Sequence, residues 1–93
     1  MKQTERILKA LANRRRLEIV MQLRRHPELC VQVLAARISL STKATSKHLH
    51  RLYAVDVLDR QQRRREVYYR IAQPTKRLIR SVIDALSFER MRG

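Results

Sequence analysis

Glycine is almost absent, since the only one among 93 residues is Gly93. Loops that cradle phosphate need residues without a Cβ where backbone closes on the ligand, so no nucleotide-hydrolysing site of the glycine-rich type is expected. Cysteine is equally scarce. Cys30 stands alone, which excludes an intramolecular disulfide and a four-cysteine zinc site and favours a reducing, cytosolic setting. Three tyrosines, one phenylalanine and no tryptophan offer no aromatic platform for single-stranded nucleic acid. No run of about 18 apolar residues occurs, and the amino end lacks the apolar stretch of a signal peptide, so an intracellular protein with no membrane partner is expected. No nucleophile, base and orienting group occur as a set, and a chain this short has little room for a pocket, so it is not expected to be an enzyme.

Acidic residues are few as well. Lys and Arg number 22 against 8 Asp and Glu, leaving a formal charge of +14, and such a chain seeks polyanions. Hydrophobic residues still make up 44%, enough to fold rather than remain a solvated basic tail. A single domain over 1–93 is expected. Its small core would gain from a partner copy, because a short chain buries only about 60% of its unfolded surface.

Two prolines, Pro27 and Pro74, interrupt long stretches of helical periodicity. From Thr4, the apolar Ile7, Leu8 and Leu11 share one stripe of a short helix ending near Ala12. Asn13 is placed to cap the next helix, Arg14 to about Arg25, which would bury Leu17, Val20, Met21 and Leu23. Arg14, Arg15 and Arg16 open that helix, where cations oppose its dipole, so phosphate neutralisation is expected of them. A third helix, roughly Cys30 to Arg37, turns inward Val33, Leu34 and Ile38 before Ser39-Leu40-Ser41. The fourth, about Thr42 to Ala54 with Ser41 or Thr42 as its cap, sets Thr45, Leu49 and Leu52 on one face. Lys43, Ser46, Lys47 and His50 lie on another, at i, i+3, i+4 and i+7. A short helix, a tight turn and a helix with a cationic outer face have the sequence shape of a helix-turn-helix.

The period then changes. Residues 57–61 and 66–71 are β-prone runs around Gln62-Arg63-Arg64-Arg65, which predicts a hairpin whose tip reaches phosphates or a minor groove. Tyr68 and Tyr69 alternate across the second strand, one inward and one outward, and Tyr53 is expected in the core. Pro74 begins a last helix, Thr75 to about Arg90, with Leu78, Ile79, Val82, Ile83 and Leu86 in one stripe and Phe88 near its end.

The segment Leu8-Lys9-Ala10-Leu11-Ala12-Asn13-Arg14-Arg15-Arg16-Leu17-Glu18-Ile19-Val20 resembles the amino-terminal signature of ArsR/SmtB-type winged-helix repressors. Ser46-Lys47-His48-Leu49-His50-Arg51-Leu52 is similar to the recognition-helix motif of that family, and Val67-Tyr68-Tyr69-Arg70-Ile71 to its second wing strand. The resemblance covers about residues 4–72. It implies a mainly α winged helix-turn-helix with four helices, a two-stranded wing and a C-terminal helix at 74–90. It further implies a homodimer joined through the first and last helices, with Ile7, Leu8, Leu11, Leu78, Val82 and Leu86 at the interface. The function it implies is transcriptional repression through an inverted-repeat operator in double-stranded DNA. Candidate DNA contacts are Thr42, Lys43, Ser46, Lys47, His50, Arg63, Arg64 and Arg65. His48, which matches the motif, is expected to pack or to touch phosphate. Where the family usually has glycine, after the recognition helix and at the wing tip, this chain has Asp56 and Arg64.

Glu28-Leu29-Cys30-Val31-Gln32 resembles the Glu-Leu-Cys-Val-Cys segment that binds arsenic or soft metals in some members, with Gln32 in place of the second thiolate. A soft metal needs at least two converging thiolates, so Cys30 is expected to be a structural thiol, with a redox role as the alternative. Other members place zinc ligands on the last helix; Asp84 and Glu89 occur here but no histidine follows Tyr69. The histidines His26, His48 and His50 contain no i, i+4 pair. No metal and no cofactor are therefore expected, and the effector is left open. The competing class is an architectural DNA-coating protein or a basic ribonucleoprotein component, which the charge alone would serve.

Overall fold

The computed structural model describes the backbone of residues 1–92 and the side chains of 1–86, so Phe88 and Glu89 lie outside the described side chains and Gly93 outside the described backbone. The elements run α1 (Lys2–Leu11), α2 (Arg14–Arg25), β1 (Leu29–Cys30), α3 (Val31–Arg37), α4 (Thr42–Ala54), β2 (Leu58–Arg63), β3 (Glu66–Ile71), a 3-10 turn (Gln73–Thr75) and α5 (Lys76–Arg92).

Side-chain caps set the two helix starts that matter most. The Asn13 side chain accepts from the Arg16 amide at 3.1 Å, and Ser41 Oγ accepts from the Ala44 amide at the same distance. Each satisfies one of the donors that a first helical turn leaves free. Helix α3 ends with Ser39 at φ 55°, while the Leu40 amide reaches back to the Ala35 carbonyl at 3.0 Å. Helix α4 ends the same way, with Asp56 at φ 63° and the Val57 amide on the Leu52 carbonyl at 3.0 Å. This six-to-one closure stops a helix by a left-handed residue and turns the chain sharply. The turn between α3 and α4 is thus built from backbone, and it holds the angle between the two helices.

The hairpin pairs Leu58 with Ile71 at its base and Arg63 with Glu66 at its tip. Its two-residue turn carries Arg64 at φ 56°, the one left-handed residue of the turn. The turn is tight despite the arginine, and Arg63 stands on β2 instead of in the loop expected over 62–65. A third strand, β1, lies outside the two-stranded wing that the sequence predicts. It pairs Leu29 with Tyr69 and Cys30 with Tyr68, giving the antiparallel order β1-β3-β2. Cys30 therefore precedes α3 as a strand residue rather than starting the helix, and it is buried.

One core joins these elements. Ile19, Val20, Leu34, Leu49, Leu52, Val57, Leu58, Tyr69 and Ile79 are nearly or fully enclosed. The inner face of α4 is as expected, with Thr45, Leu49 and Leu52 all buried. Val33, expected inside, is exposed at 40%. Tyr69 is the inward member of its pair and Tyr68 is half-buried, its hydroxyl donating to Glu66 Oε2 at 2.9 Å. Tyr53 is a correction, because it is exposed and lies under Arg60, whose guanidinium carbon is 4.0 Å from the ring centroid. Among the described residues no helix is long and apolar enough to cross a membrane.

Asp56 and Arg64 hold positive φ where a Cβ is strained. Asp56→Gly is expected to raise stability by about 1 kcal/mol, the usual cost of a left-handed non-glycine residue less the entropy glycine loses on folding. Urea denaturation at fixed protein concentration measures it, and an unmoved or lowered midpoint counts against the strain.

Candidate nucleic-acid interface

Burial of Thr45, Leu49 and Leu52 turns the opposite side of α4 outward. Thr42, Lys43, Lys47 and His50 are exposed and Ser46 is half-buried. None of these five side chains takes part in an ion pair or side-chain hydrogen bond among the described residues. Two lysines, two hydroxyls and an imidazole on a free helical face can donate to phosphate oxygens and to acceptors on base edges.

The other arginines divide sharply by occupation. Arg64 and Arg65 at the hairpin tip are exposed and free of ion pairs among the described residues. Arg63 is not equivalent to them. Its two terminal nitrogens straddle the Glu28 carboxylate, one bond at 2.9 Å, and its guanidinium lies 4.8 Å from the Tyr68 ring. Arg70 Nη1 reaches the same carboxylate at 3.4 Å. The Arg63 hydrogen bonds and the neighbouring cationic charge hold the Glu28 carboxyl below its ordinary range. Glu28 thus ties the hairpin to the segment before α3, and Arg63, unlike Arg64 and Arg65, already holds an anionic partner within the chain. Sequence could not show this, because the partners lie 35 positions apart.

The arginines opening α2 are also engaged. Arg15 Nη1 donates to the Ile38 carbonyl at 2.6 Å, and Arg16 Nε donates to the Ala10 carbonyl. They stitch α2 to the end of α3 and to α1, and of the triplet Arg14 alone is exposed. Arg16 Nη1 also stands 3.4 Å from His48 Nδ1. With the imidazole proton on Nε2, Nδ1 can accept from the guanidinium, so this histidine packs behind the reading face.

Burial, then the charges of Arg16 and Arg15, lower the His48 pKa from 6.5. The folded state therefore favours neutral imidazole, while the unfolded chain takes up a proton as pH falls through the ordinary value. Stability from this group is complete above pH 6.5 and is lost on acidification toward the folded pKa. Urea midpoints taken from about pH 7.5 down to pH 5 should fall, and His48→Gln should remove part of that slope. An identical slope in the variant would assign the pH dependence to other groups.

The expected dimer residues separate into two sets. Ile7 and Leu11 are buried in the chain's own core at 6% and 3%, so they present no outer surface. The amphipathic stripe of α1 packs on its own protomer, and this corrects their assignment to a partner face. Leu8 is exposed at 48%, while Leu78, Val82 and Leu86 are half-buried. Cys30, offered as a redox candidate, is enclosed at 6% exposure. Among the described residues no three His, Cys, Asp or Glu side chains cluster as metal ligands.

A helix-turn-helix with a free cationic second helix, followed by a hairpin with a cationic tip, is the arrangement that comparison with known proteins resolves. The sequence profile of the bacterial regulatory proteins of the arsR family matches residues 13–59, from the cap of α2 into β2. The chain belongs to the ArsR family. HlyU from Vibrio cholerae is 32% identical with a TM-score of 0.80, over 87% of this chain and 88% of HlyU. The homodimeric winged helix-turn-helix DNA-binding domain of Mb0332 from Mycobacterium bovis is 28% identical with a TM-score of 0.83, over 97% and 82%. The transcriptional repressor PagR of Bacillus anthracis is 29% identical with a TM-score of 0.77, over 91% and 93%. A search of curated proteins gives no match. This ArsR-family chain is a DNA-binding transcriptional regulator with a winged helix-turn-helix fold, and its family and fold are those of regulators rather than enzymes.

Proposed function

We propose that this ArsR-family chain represses transcription as a two-fold dimer that sets two copies of α4 into successive major-groove faces of an inverted-repeat operator. The observation that carries the reading is the division of α4 into a buried face and a free one, Thr42, Lys43, Ser46, Lys47 and His50. In a two-fold dimer such helices meet half-sites about 34 Å apart. Arg64 and Arg65 sit on the flanking backbone or minor groove, where they add affinity more than sequence preference. Leu8 of α1 and Leu78, Val82 and Leu86 of α5 supply the apolar surface between protomers. The homodimeric state of the Mycobacterium bovis domain supports that assembly.

Selection from a random duplex pool at about 150 mM salt tests the reading, since counterion release no longer dominates there. An enriched inverted repeat is expected, preferred over random duplex by about a thousandfold or more. Tight, steeply salt-dependent binding with no enriched sequence would instead favour an architectural role. Sedimentation of Val82→Glu should give a monomer, and an unaltered dimer would move the interface elsewhere.

A further inference from the structure

A crevice of about 450 Å³ opens between α2, β3 and α5, away from the free face of α4. Its floor is apolar, formed by Leu23, Ile71 and Ile79, which are 2%, 8% and 1% exposed. Among the described residues four cations rim it, Arg24, Arg70, Lys76 and Arg80, and no carboxylate lines it. Arg24 leans on Asp84 at 3.5 Å and Arg70 on Glu28 at 3.4 Å. These are exposed contacts of the kind that contribute little and yield to a better anion. Lys76 and Arg80 are exposed and in no ion pair among the described residues. The volume falls within the roughly 300–1,000 Å³ of small-molecule sites, which join an apolar body to a few placed polar groups.

We infer that this crevice is a binding site for a small amphipathic organic anion, one carboxylate, sulfonate or phosphate group on an apolar body. The body covers Leu23, Ile71 and Ile79, and the anionic head lies between Lys76 and Arg80, with Arg24 and Arg70 within the same rim. A cation is opposed by the ring of positive charge, and a neutral apolar molecule would leave that charge uncompensated. Because β3 is also a strand of the hairpin and α5 carries the proposed dimer surface, occupancy braces the wing against the last helix. An anion there is linked to DNA affinity in both directions. That linkage rests on the operator-binding reading; the site itself does not.

The full chain is titrated, without DNA, with 8-anilinonaphthalene-1-sulfonate, whose fluorescence rises on leaving water. One saturable site per chain is expected. Lys76→Glu and Arg80→Glu, both exposed and so compatible with the fold, should each weaken it by about tenfold, the scale of one charge-assisted contact. Lys9→Glu, on α1 and outside the crevice lining, should leave it unchanged, and the neutral N-phenyl-1-naphthylamine should bind about tenfold more weakly. The proposal is overturned by the absence of saturable enhancement, by unchanged affinity in both crevice variants, or by equal binding of the neutral compound. Loss of the site as protein concentration rises would also overturn it, by showing that a second copy fills the crevice. Failure of the operator reading would appear separately, as a selection that enriches nothing.

Discussion

Lys43→Ala combined with Lys47→Ala is expected to weaken operator binding about a hundredfold at about 150 mM salt and to reduce the slope of log affinity against log salt by about two. Both lysines lie on the exposed face of α4 and hold no ion pair among the described residues, so their removal costs the chain no internal contact. Alanine also suits a helix better than most residues, which keeps the variant folded. Two outcomes separate the roles of the lysines. Phosphate contact lowers affinity for operator and random duplex alike, whereas base contact lowers the ratio between them by about 1–3 kcal/mol per pair. Arg64→Ala with Arg65→Ala should behave in the first way only. Affinity within about threefold of the parent for the lysine pair would remove α4 as the groove-entering element.

The second large effect concerns stability. Leu49→Ala is expected to cost about 3 kcal/mol, within the 2–5 kcal/mol span of leucine truncations, because it leaves a cavity as well as losing transfer energy. Leu49 is fully enclosed behind the reading face, on a helix that packs on α1, α2, α3 and β2. A chain of this size should lose roughly 15 °C in Tm for such a change. Calorimetry at one fixed protein concentration is the check, since a dimer makes Tm depend on concentration. A loss under about 1 kcal/mol would mean that α4 is held chiefly by its two ends, through Ser41 and the Asp56 closure.

Much of this fold was legible in the chain, for local reasons. Asn13 and Ser41 mark the starts of α2 and α4 because a short side-chain acceptor there satisfies an amide that the helix cannot. The i, i+4, i+7 run of Thr45, Leu49 and Leu52 identifies the packed face of α4, and with it the free one. Asp56 and Arg64, which stand where the family usually has glycine, hold positive φ. What escaped is non-local. The two residues of β1 are too few to show a period, and they become a strand only through β3. Periodicity finds the stripe of α1 but not what covers it: Ile7 and Leu11 are enclosed by their own core, and only the fold shows that. Arg15, Arg16 and Arg63 look like solvated cations until the carbonyls and the carboxylate they meet are brought alongside by the fold.

The short strand carrying Cys30 has a kinetic consequence. The thiol is enclosed at 6% exposure and its backbone pairs with Tyr68 on the hairpin. An alkylating reagent therefore meets the sulfur when the pairing of β1 with β3 parts, or when the whole molecule unfolds. As the sole cysteine, it makes the chain its own clock. If labelling is slower than reclosing, the ratio of the observed rate to that of the unfolded thiol gives the free energy of opening at the seam between helix-turn-helix and wing. Duplex that clamps both sides of the seam should slow the clock, while a duplex held by the hairpin tip alone should leave it running.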